Sequence, residues 1–186
     1  HTAELAVGFG RKVRNLIQSE DYQKIFKGIE LSTDSKAAGR WNTNKRGDYF
    51  AIGVGGAVTG KGADILIIDD PHSEQEAQLG QYNPDVYDKV YEWYTSGPRQ
   101  RLQPGGAIIL VMTRWSKRDL TGQLLKVMQE REGADDWELI QLPAIMPSGN
   151  PLWGEFWALE ELESLKAELP VAKWNAQYQQ DPTSEE

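Results

Sequence analysis

The pattern of hydrophobic and polar positions changes within the first 54 residues of this chain, from helical spacing to short apolar segments. Apolar residues recur at helical spacing over residues 2–18, and Ser19 and Asp21 are placed to cap a second short helix that ends near Phe26. Residues 31–54 carry short apolar segments separated by Gly, Asn and Asp. This part of the pattern predicts short strands that include a hairpin.

From residue 63 onward the pattern predicts strands that alternate with helices. Residues 63–71 (ADILIIDDP) are an apolar run that ends in Asp69, Asp70 and Pro71. Four large aliphatic residues in a row predict a strand buried on both faces of a parallel sheet. The later elements predicted are helices at 74–79, 84–95 and 118–131, strands at 107–113 and 137–142, and helices at 159–169 and 171–179.

The order of these elements predicts an α/β fold, with a mainly parallel sheet flanked by helices. We expect residues 1–142 to form this α/β part, and residues 143–186 to form a loop with a small helical appendage. The length of 186 residues suits one domain with a core. No apolar run approaches membrane length, so we expect no membrane partner.

Asp69 and Asp70 are the strongest candidates for chemistry in the sequence. Parallel sheets bind ligands at the carboxyl ends of their strands. Two acids there suit nucleotide hydrolysis, in which one holds Mg²⁺ through water and the other orients or deprotonates the attacking water. The alternative is a strand that ends in a solvated Asp-Asp-Pro turn, because Asp and Pro both favour turns.

Residues 55–62 nearly match the phosphate-binding pattern G-x-x-x-x-G-K-[ST]. Gly62 replaces the hydroxyl residue, and the loop leads into a predicted strand instead of a helix whose amides would cradle phosphate. We therefore reject this segment as the P-loop. No G-x-x-x-x-G-K-[ST] occurs elsewhere in the 186 residues, so an ATPase would need a phosphate cradle upstream of residue 1. Lys61 remains a candidate to reach a phosphate across a subunit boundary, as a cationic finger does.

Charge is distributed unevenly along the chain. Residues 1–60 hold nine Lys and Arg against six Asp and Glu, whereas residues 121–186 hold four against thirteen. DNA contact is therefore expected on the basic first third, to phosphates and with strong salt dependence, although the sequence identifies no DNA-binding residue. With no cysteine and two histidines, the chain has no disulfide, and a zinc site is not expected.

Four sequence blocks, in this order, resemble the large subunit of bacteriophage DNA-packaging terminases over nearly the whole chain. The blocks are GGAVTGKGADILIIDDP, EWYTSGPRQRLQPGGAIILVMTRW, DWELIQLPAI and AKWNAQYQQDP. The resemblance implies a partial P-loop NTPase of the ASCE type, with ATP as substrate and Mg²⁺ as cofactor. It also implies a fragment that lacks the Walker A segment and the C-terminal nuclease domain.

The resemblance further implies partners and a location. Members of this family act on double-stranded DNA as a homo-oligomeric ring, together with a portal and a small terminase subunit. A phage or prophage protein of this kind would work in the host cytoplasm.

The resemblance assigns roles to individual residues. Asp69 corresponds to the Walker B aspartate that holds Mg²⁺, and Asp70 stands where many members have the catalytic glutamate. Thr113 corresponds to the coupling motif that senses the γ-phosphate, and Arg114 follows it as a sensor or phosphate contact. Lys61 lies where some members place a trans-acting arginine.

Other interpretations of the same residues are open. Thr113 can simply end a strand, and Arg114 can rest as an exposed cation on the neighbouring indole ring. His72 is expected to be a turn residue, and the AKWNAQYQQDP segment to pack the last helix. At the level of function, the alternatives are a helicase-like DNA translocase fragment and a non-catalytic assembly or DNA-clamp module.

The isolated 186 residues are expected to bind ATP weakly and to hydrolyse it poorly or not at all, because they contain no phosphate cradle. The measurement is phosphate release by the purified chain with Mg²⁺ and ATP. Turnover that Asp70→Ala abolishes would contradict this expectation.

Overall fold

The computed structural model describes residues 3–58, 60 and 62–183, and for residues 34–36 it describes the backbone only. The chain divides into two compact units. The first unit comprises His1–Asp69 and Trp93–Ile108, and the second comprises Asp70–Glu92 and Ile109–Glu186.

The first unit begins with the two predicted helices, and the predicted short strands follow as a three-stranded antiparallel sheet. Its elements are α1 (Ala3–Ile17), α2 (Glu20–Ile25), β1 (Leu31–Ala37), β2 (Arg40–Thr43) and β3 (Asp48–Phe50). The strand order is β1-β2-β3, with both pairs antiparallel. The hydroxyl of Ser19 accepts a hydrogen bond from the Tyr22 N–H at 3.3 Å, so Ser19 caps α2 as its sequence position predicts.

The core of the first unit is centred on Trp41. Its indole ring stacks on Tyr49 with centroids 4.9 Å apart and planes 5° apart, and it clusters with Ile17 and Leu31. The indole N–H donates to the carbonyl oxygen of Gly10 at 3.1 Å. One buried aromatic residue on β2 therefore joins helix α1 to the antiparallel sheet through both apolar contact and a hydrogen bond.

The second sheet contains two strands, β4 (Ala63–Asp69) and β5 (Leu102–Val111). Within the first unit, Gly62 lies beside Gln103 and Asp64 lies beside Gly106, so the residue numbers increase in the same direction along both strands. The strands are therefore parallel, and the predicted α/β class with flanking helices is confirmed at that level. β5 begins at Leu102, whereas the sequence pattern predicts a strand that begins at residue 107.

The prediction that β4 is buried on both faces is wrong. Ile68 is only 4% exposed, but Ile65 and Ile67 on the alternate positions are 62% and 64% exposed. The described residues therefore cover one face of this strand. An unbroken aliphatic run cannot by itself distinguish a strand covered on one face from a strand covered on both.

The predicted third strand at residues 137–142 is also wrong. These residues form neither helix nor strand, and Leu139, Ile140 and Leu142 are exposed. A strand requires a partner for its backbone hydrogen bonds as well as an apolar pattern, and a single sequence reports only the pattern.

Helices make up most of the regular structure in the second unit. They are α3 (Glu74–Gly80), α5 (Leu120–Glu130), α6 (Leu159–Glu168) and α7 (Val171–Gln177). Helix α4 (Asp85–Ser96) begins in this unit and ends in the first unit, where the 3₁₀ helix Pro98–Arg101 follows it. Ser73 and Glu76 form a capping box at the start of α3, and Pro170 separates α6 from α7 as predicted. Within the described part of the chain, no helix is long and apolar enough to cross a membrane.

Two glycines of α1 offer a matched test of this packing. A Cβ on Gly8 would meet no atom within 4 Å, whereas a Cβ on Gly10 would overlap the Tyr49 ring and lie 2.7 Å from the Ala38 carbonyl oxygen. Because alanine is intrinsically the better helix former by about 1 kcal/mol, Gly8→Ala should stabilise the chain by up to about that amount. Gly10→Ala should instead destabilise it, by about 1–3 kcal/mol.

Urea unfolding followed by tryptophan fluorescence measures both substitutions. Equal stabilisation by the two variants would mean that α1 does not approach Tyr49 as closely as described.

Candidate functional site

The chain turns sharply at Asp70, immediately after β4. Asp70 has φ of +41°, a left-handed value that is uncommon for residues other than glycine but is tolerated by Asp and Asn. Pro71 and His72 follow, and both are buried. Asp69, the last residue of β4, is exposed. Asp69 therefore faces solvent, and the chain turns at Asp70.

Asp70 and Thr113 lie together at the ends of the two parallel strands. The Asp70 N–H donates to the Val111 carbonyl oxygen at 2.9 Å, which extends the ladder beyond β4. The Thr113 N–H donates to Asp70 Oδ1 at 3.1 Å. Because Asp70 is also exposed, its carboxylate meets both the Thr113 backbone and solvent.

Arg114 is held by a carboxylate and not by the neighbouring indole ring. Its Nε donates to Asp119 Oδ1 at 3.2 Å and to Oδ2 at 3.0 Å, and its side chain is only 12% exposed. Its backbone N–H donates to Gln180 Oε1 at 3.3 Å. These contacts fix the segment that follows Thr113.

The Asp119 side chain is fully buried and receives several hydrogen bonds. Besides Arg114, its carboxylate accepts the backbone N–H groups of Trp115 at 2.9 Å, Ser116 at 3.2 Å and Gly122 at 2.9 Å. Asp119 is the N-cap of α5, where the positive end of the helix dipole also favours an anion. This combination of donors compensates the loss of hydration that a buried charge suffers.

His72 is a buried cap acceptor, a role that its position in the sequence did not predict. Its side chain is 3% exposed, and Nε2 accepts the Leu120 N–H at 2.9 Å at the start of α5. The Tyr87 ring packs edge-on against the imidazole, with centroids 5.2 Å apart. Burial lowers the pKa of His72 below its ordinary value of 6.5, and the carboxylates of Asp119 and Glu76 partly oppose that shift.

Two glutamines near the C-terminus hold loops of the second unit in place. The side-chain amide of Gln179 accepts the Ile145 N–H at 3.1 Å and donates to the Ile145 carbonyl oxygen at 3.0 Å. The following residue, Gln180, has φ of +58° and binds the Arg114 backbone, as described above. The AKWNAQYQQDP segment thus fixes two loops as well as ending a helix, and no spacing rule in the sequence signals this.

The glycine-rich segment leads into β4, as the sequence predicts, and not into a helix. The Gly56 N–H donates to the Gly53 carbonyl oxygen at 3.0 Å, and the Trp93 indole N–H donates to the Gly56 carbonyl oxygen at 3.3 Å. Lys61, the candidate trans-acting cation, lies outside the described residues.

The described residues fit Mg²⁺ only if substrate phosphates and water complete its coordination. Among the described residues there is no group of three or more His, Cys, Asp or Glu that could hold a metal. Mg²⁺ usually binds one or two carboxylates together with substrate phosphates and water, so Asp69 is suited to an ion that arrives with a nucleotide.

Comparison with known proteins gives no further identification. No protein-family model matches the chain, and no curated protein matches it.

Removal of the Asp119 carboxylate should be strongly destabilising. Asp119→Ala leaves the Arg114 guanidinium buried without its partner and removes the α5 cap, so we expect a loss of about 3–5 kcal/mol in unfolding free energy. Chemical denaturation measures this loss.

The matched control is Asp88→Ala. Asp88 pairs with Arg118 at 2.5 Å, but both side chains are about half exposed, so we expect a change below about 1 kcal/mol. Similar losses in the two variants would contradict the proposed importance of Asp119.

Proposed function

We propose that this chain is part of the ATP-hydrolysing motor of a viral DNA-packaging terminase large subunit, which moves double-stranded DNA into a capsid. The observation that supports the proposal most directly is the hydrogen bond between Asp70 and the Thr113 backbone at the carboxyl ends of two parallel strands. Ligands bind at this edge of an open α/β sheet. The order of the four sequence blocks supports the same family.

Each acid has a separate role in this proposal. Asp69 is exposed at the end of β4 and would hold Mg²⁺, whose chemistry when bound is to neutralise charge on the phosphates. Asp70 would orient the attacking water and accept its proton. Water oxygen then forms a bond to the γ-phosphorus, and the bond from that phosphorus to the bridging oxygen of ADP breaks.

Thr113 is suited to couple hydrolysis to movement. Its backbone N–H contacts the Asp70 carboxylate directly, so a change at the acid alters a hydrogen bond of the segment that leads to α5. Arg114 is paired with Asp119, and in this proposal it senses the phosphate state through α5. Lys61 would reach a phosphate of a neighbouring subunit.

The remaining parts of the proposal rest on the family resemblance. They are a homo-oligomeric ring, a portal, a small terminase subunit and the host cytoplasm as location. The phosphate cradle would come from sequence upstream of residue 1, because no G-x-x-x-x-G-K-[ST] occurs within the chain.

A non-catalytic assembly module is the second candidate function. It is favoured by the exposed Ile65 and Ile67 side chains on β4, which suit contact with another protein. Such a module would keep the sheet and give no calorimetric response to Mg²⁺ with an ATP analogue.

The gene that encodes this chain provides the first test. A G-x-x-x-x-G-K-[ST] pattern preceded by apolar residues should occur upstream of residue 1, with a nuclease-like sequence downstream of residue 186. A second ATPase-like lobe downstream would instead favour a helicase-like translocase.

Steady-state ATP hydrolysis by the full product of that gene provides the second test. Asp70→Asn should lower DNA-stimulated turnover by about 10²–10⁴-fold, because the variant loses the base that accepts the proton. Asp64→Asn, an exposed acid on the same strand, is the control and should retain turnover within about twofold of the unsubstituted protein. Full activity in Asp70→Asn, or no ATPase activity in the unsubstituted product, would refute the proposal.

A further inference from the structure

Two hydrogen bonds join one loop of the second unit to a second loop and to the helix that follows it. We call residues 70–73 the acid loop and residues 112–119 the threonine loop. At one end, Asp70 Oδ1 accepts the Thr113 N–H at 3.1 Å. At the other end, His72 Nε2 accepts the N–H of Leu120, which directly follows the threonine loop, at 2.9 Å.

Rigid groups lie between these two connections. In the acid loop, buried Pro71 separates Asp70 from His72 and restricts the backbone between them. In the threonine loop, the Arg114–Asp119 pair closes the segment on itself. The two connections are only two residues apart in the acid loop, so we expect a change at His72 to affect the Asp70–Thr113 contact.

The hydrogen bond to Leu120 specifies the protonation state of His72. An imidazole nitrogen can accept a hydrogen bond only when it carries no proton, so Nε2 must be unprotonated and the neutral ring must carry its proton on Nδ1. The Nδ1 atom is buried and has no hydrogen-bond partner among the residues that the structure describes. A second proton, on Nε2, would face the Leu120 N–H at the positive end of α5.

The titratable groups that face His72 come from three elements. They are Asp119 at the start of α5, Glu76 in α3 and Tyr87 in α4. The two carboxylates favour protonation, but burial opposes it more strongly and lowers the pKa of His72. The folded chain therefore binds this proton less readily than the unfolded chain does.

We propose that His72 is a positioning residue whose neutral imidazole holds the acid loop against the start of α5, and that its protonation releases this connection and loosens the Asp70–Thr113 pair. The inference concerns the structure of the chain, and only its consequence for ATP hydrolysis rests on the proposed function. It makes the site sensitive to acid through one identified atom, His72 Nε2.

Nuclear magnetic resonance of the isolated chain tests the protonation state directly. The chain has two histidines, so His72→Gln identifies the imidazole signals of His72 by their loss. A long-range ¹H–¹⁵N spectrum at pH 7.5 should show the Nδ1–H tautomer, and titration should give a pKa below 6.5. A proton on Nε2 at pH 7.5, or a pKa of 6.5 or above, would overturn the proposal.

Two substitutions distinguish the contribution of the hydrogen-bond acceptor of His72 from that of its buried ring. His72→Gln keeps an acceptor that does not titrate, whereas His72→Phe keeps a buried ring without an acceptor. The amide signals of Leu120 and Thr113 should stay near their positions in His72→Gln and shift in His72→Phe, with signals from β1–β3 as internal controls. An unchanged Thr113 signal in folded His72→Phe would overturn the positioning role.

The dependence of stability on pH gives an independent readout. Because the pKa of His72 is lower in the folded than in the unfolded state, its contribution is fully present above the unfolded value near 6.5 and falls as the pH decreases from there toward the folded value. The unfolding midpoint of the unsubstituted chain should therefore fall more than that of His72→Gln between pH 7.5 and pH 5. Parallel curves would overturn the proposal.

None of these measurements uses nucleotide or DNA. Failure of the ATPase proposal would leave their outcome unchanged, and their failure would leave the ATPase assay interpretable. If His72→Phe does not fold, the titration of the unsubstituted chain still decides between the two outcomes.

Discussion

The burial of the Asp119 carboxylate is the constraint on which the second unit depends. A charge without water is stable only when donors surround it, and here the Arg114 guanidinium and three backbone N–H groups provide them. The donors of Arg114, Trp115 and Ser116 come from the segment between β5 and α5, and the Gly122 N–H comes from the first turn of α5, so the carboxylate joins that segment to the helix. The Thr113 N–H, which lies just before this segment's buried contacts, donates to Asp70 Oδ1.

The first unit depends on a different kind of interaction. Trp41 joins α1 to the antiparallel sheet through a large apolar surface and one hydrogen bond to Gly10, and the helix approaches so closely that only glycine fits there. Apolar packing of this kind tolerates small adjustments, whereas a buried charge network loses much of its stability when one member is removed. The two units are therefore held together internally by different means.

Local features of the fold were predictable from sequence, and features that depend on distant partners were not. The Ser19 cap, the helices and the strand that ends at Asp69 follow from short-range patterns. The unformed strand at 137–142 and the exposed face of β4 depend on which segments lie alongside. For the same reason, the acids and Thr113 were recognisable near strand ends, but the buried role of His72 depends on contacts with Leu120 and Tyr87, which lie far from it in the sequence.

The left-handed backbone at position 70 explains which acid the chain uses there. Asp and Asn are several-fold enriched at positive φ among residues other than glycine, because their short polar side chains can bond to nearby backbone. A longer side chain would gain reach but would fit that torsion less well. The main-chain conformation thus restricts which side chains suit position 70, and the turn there favours the shorter of the two acidic residues.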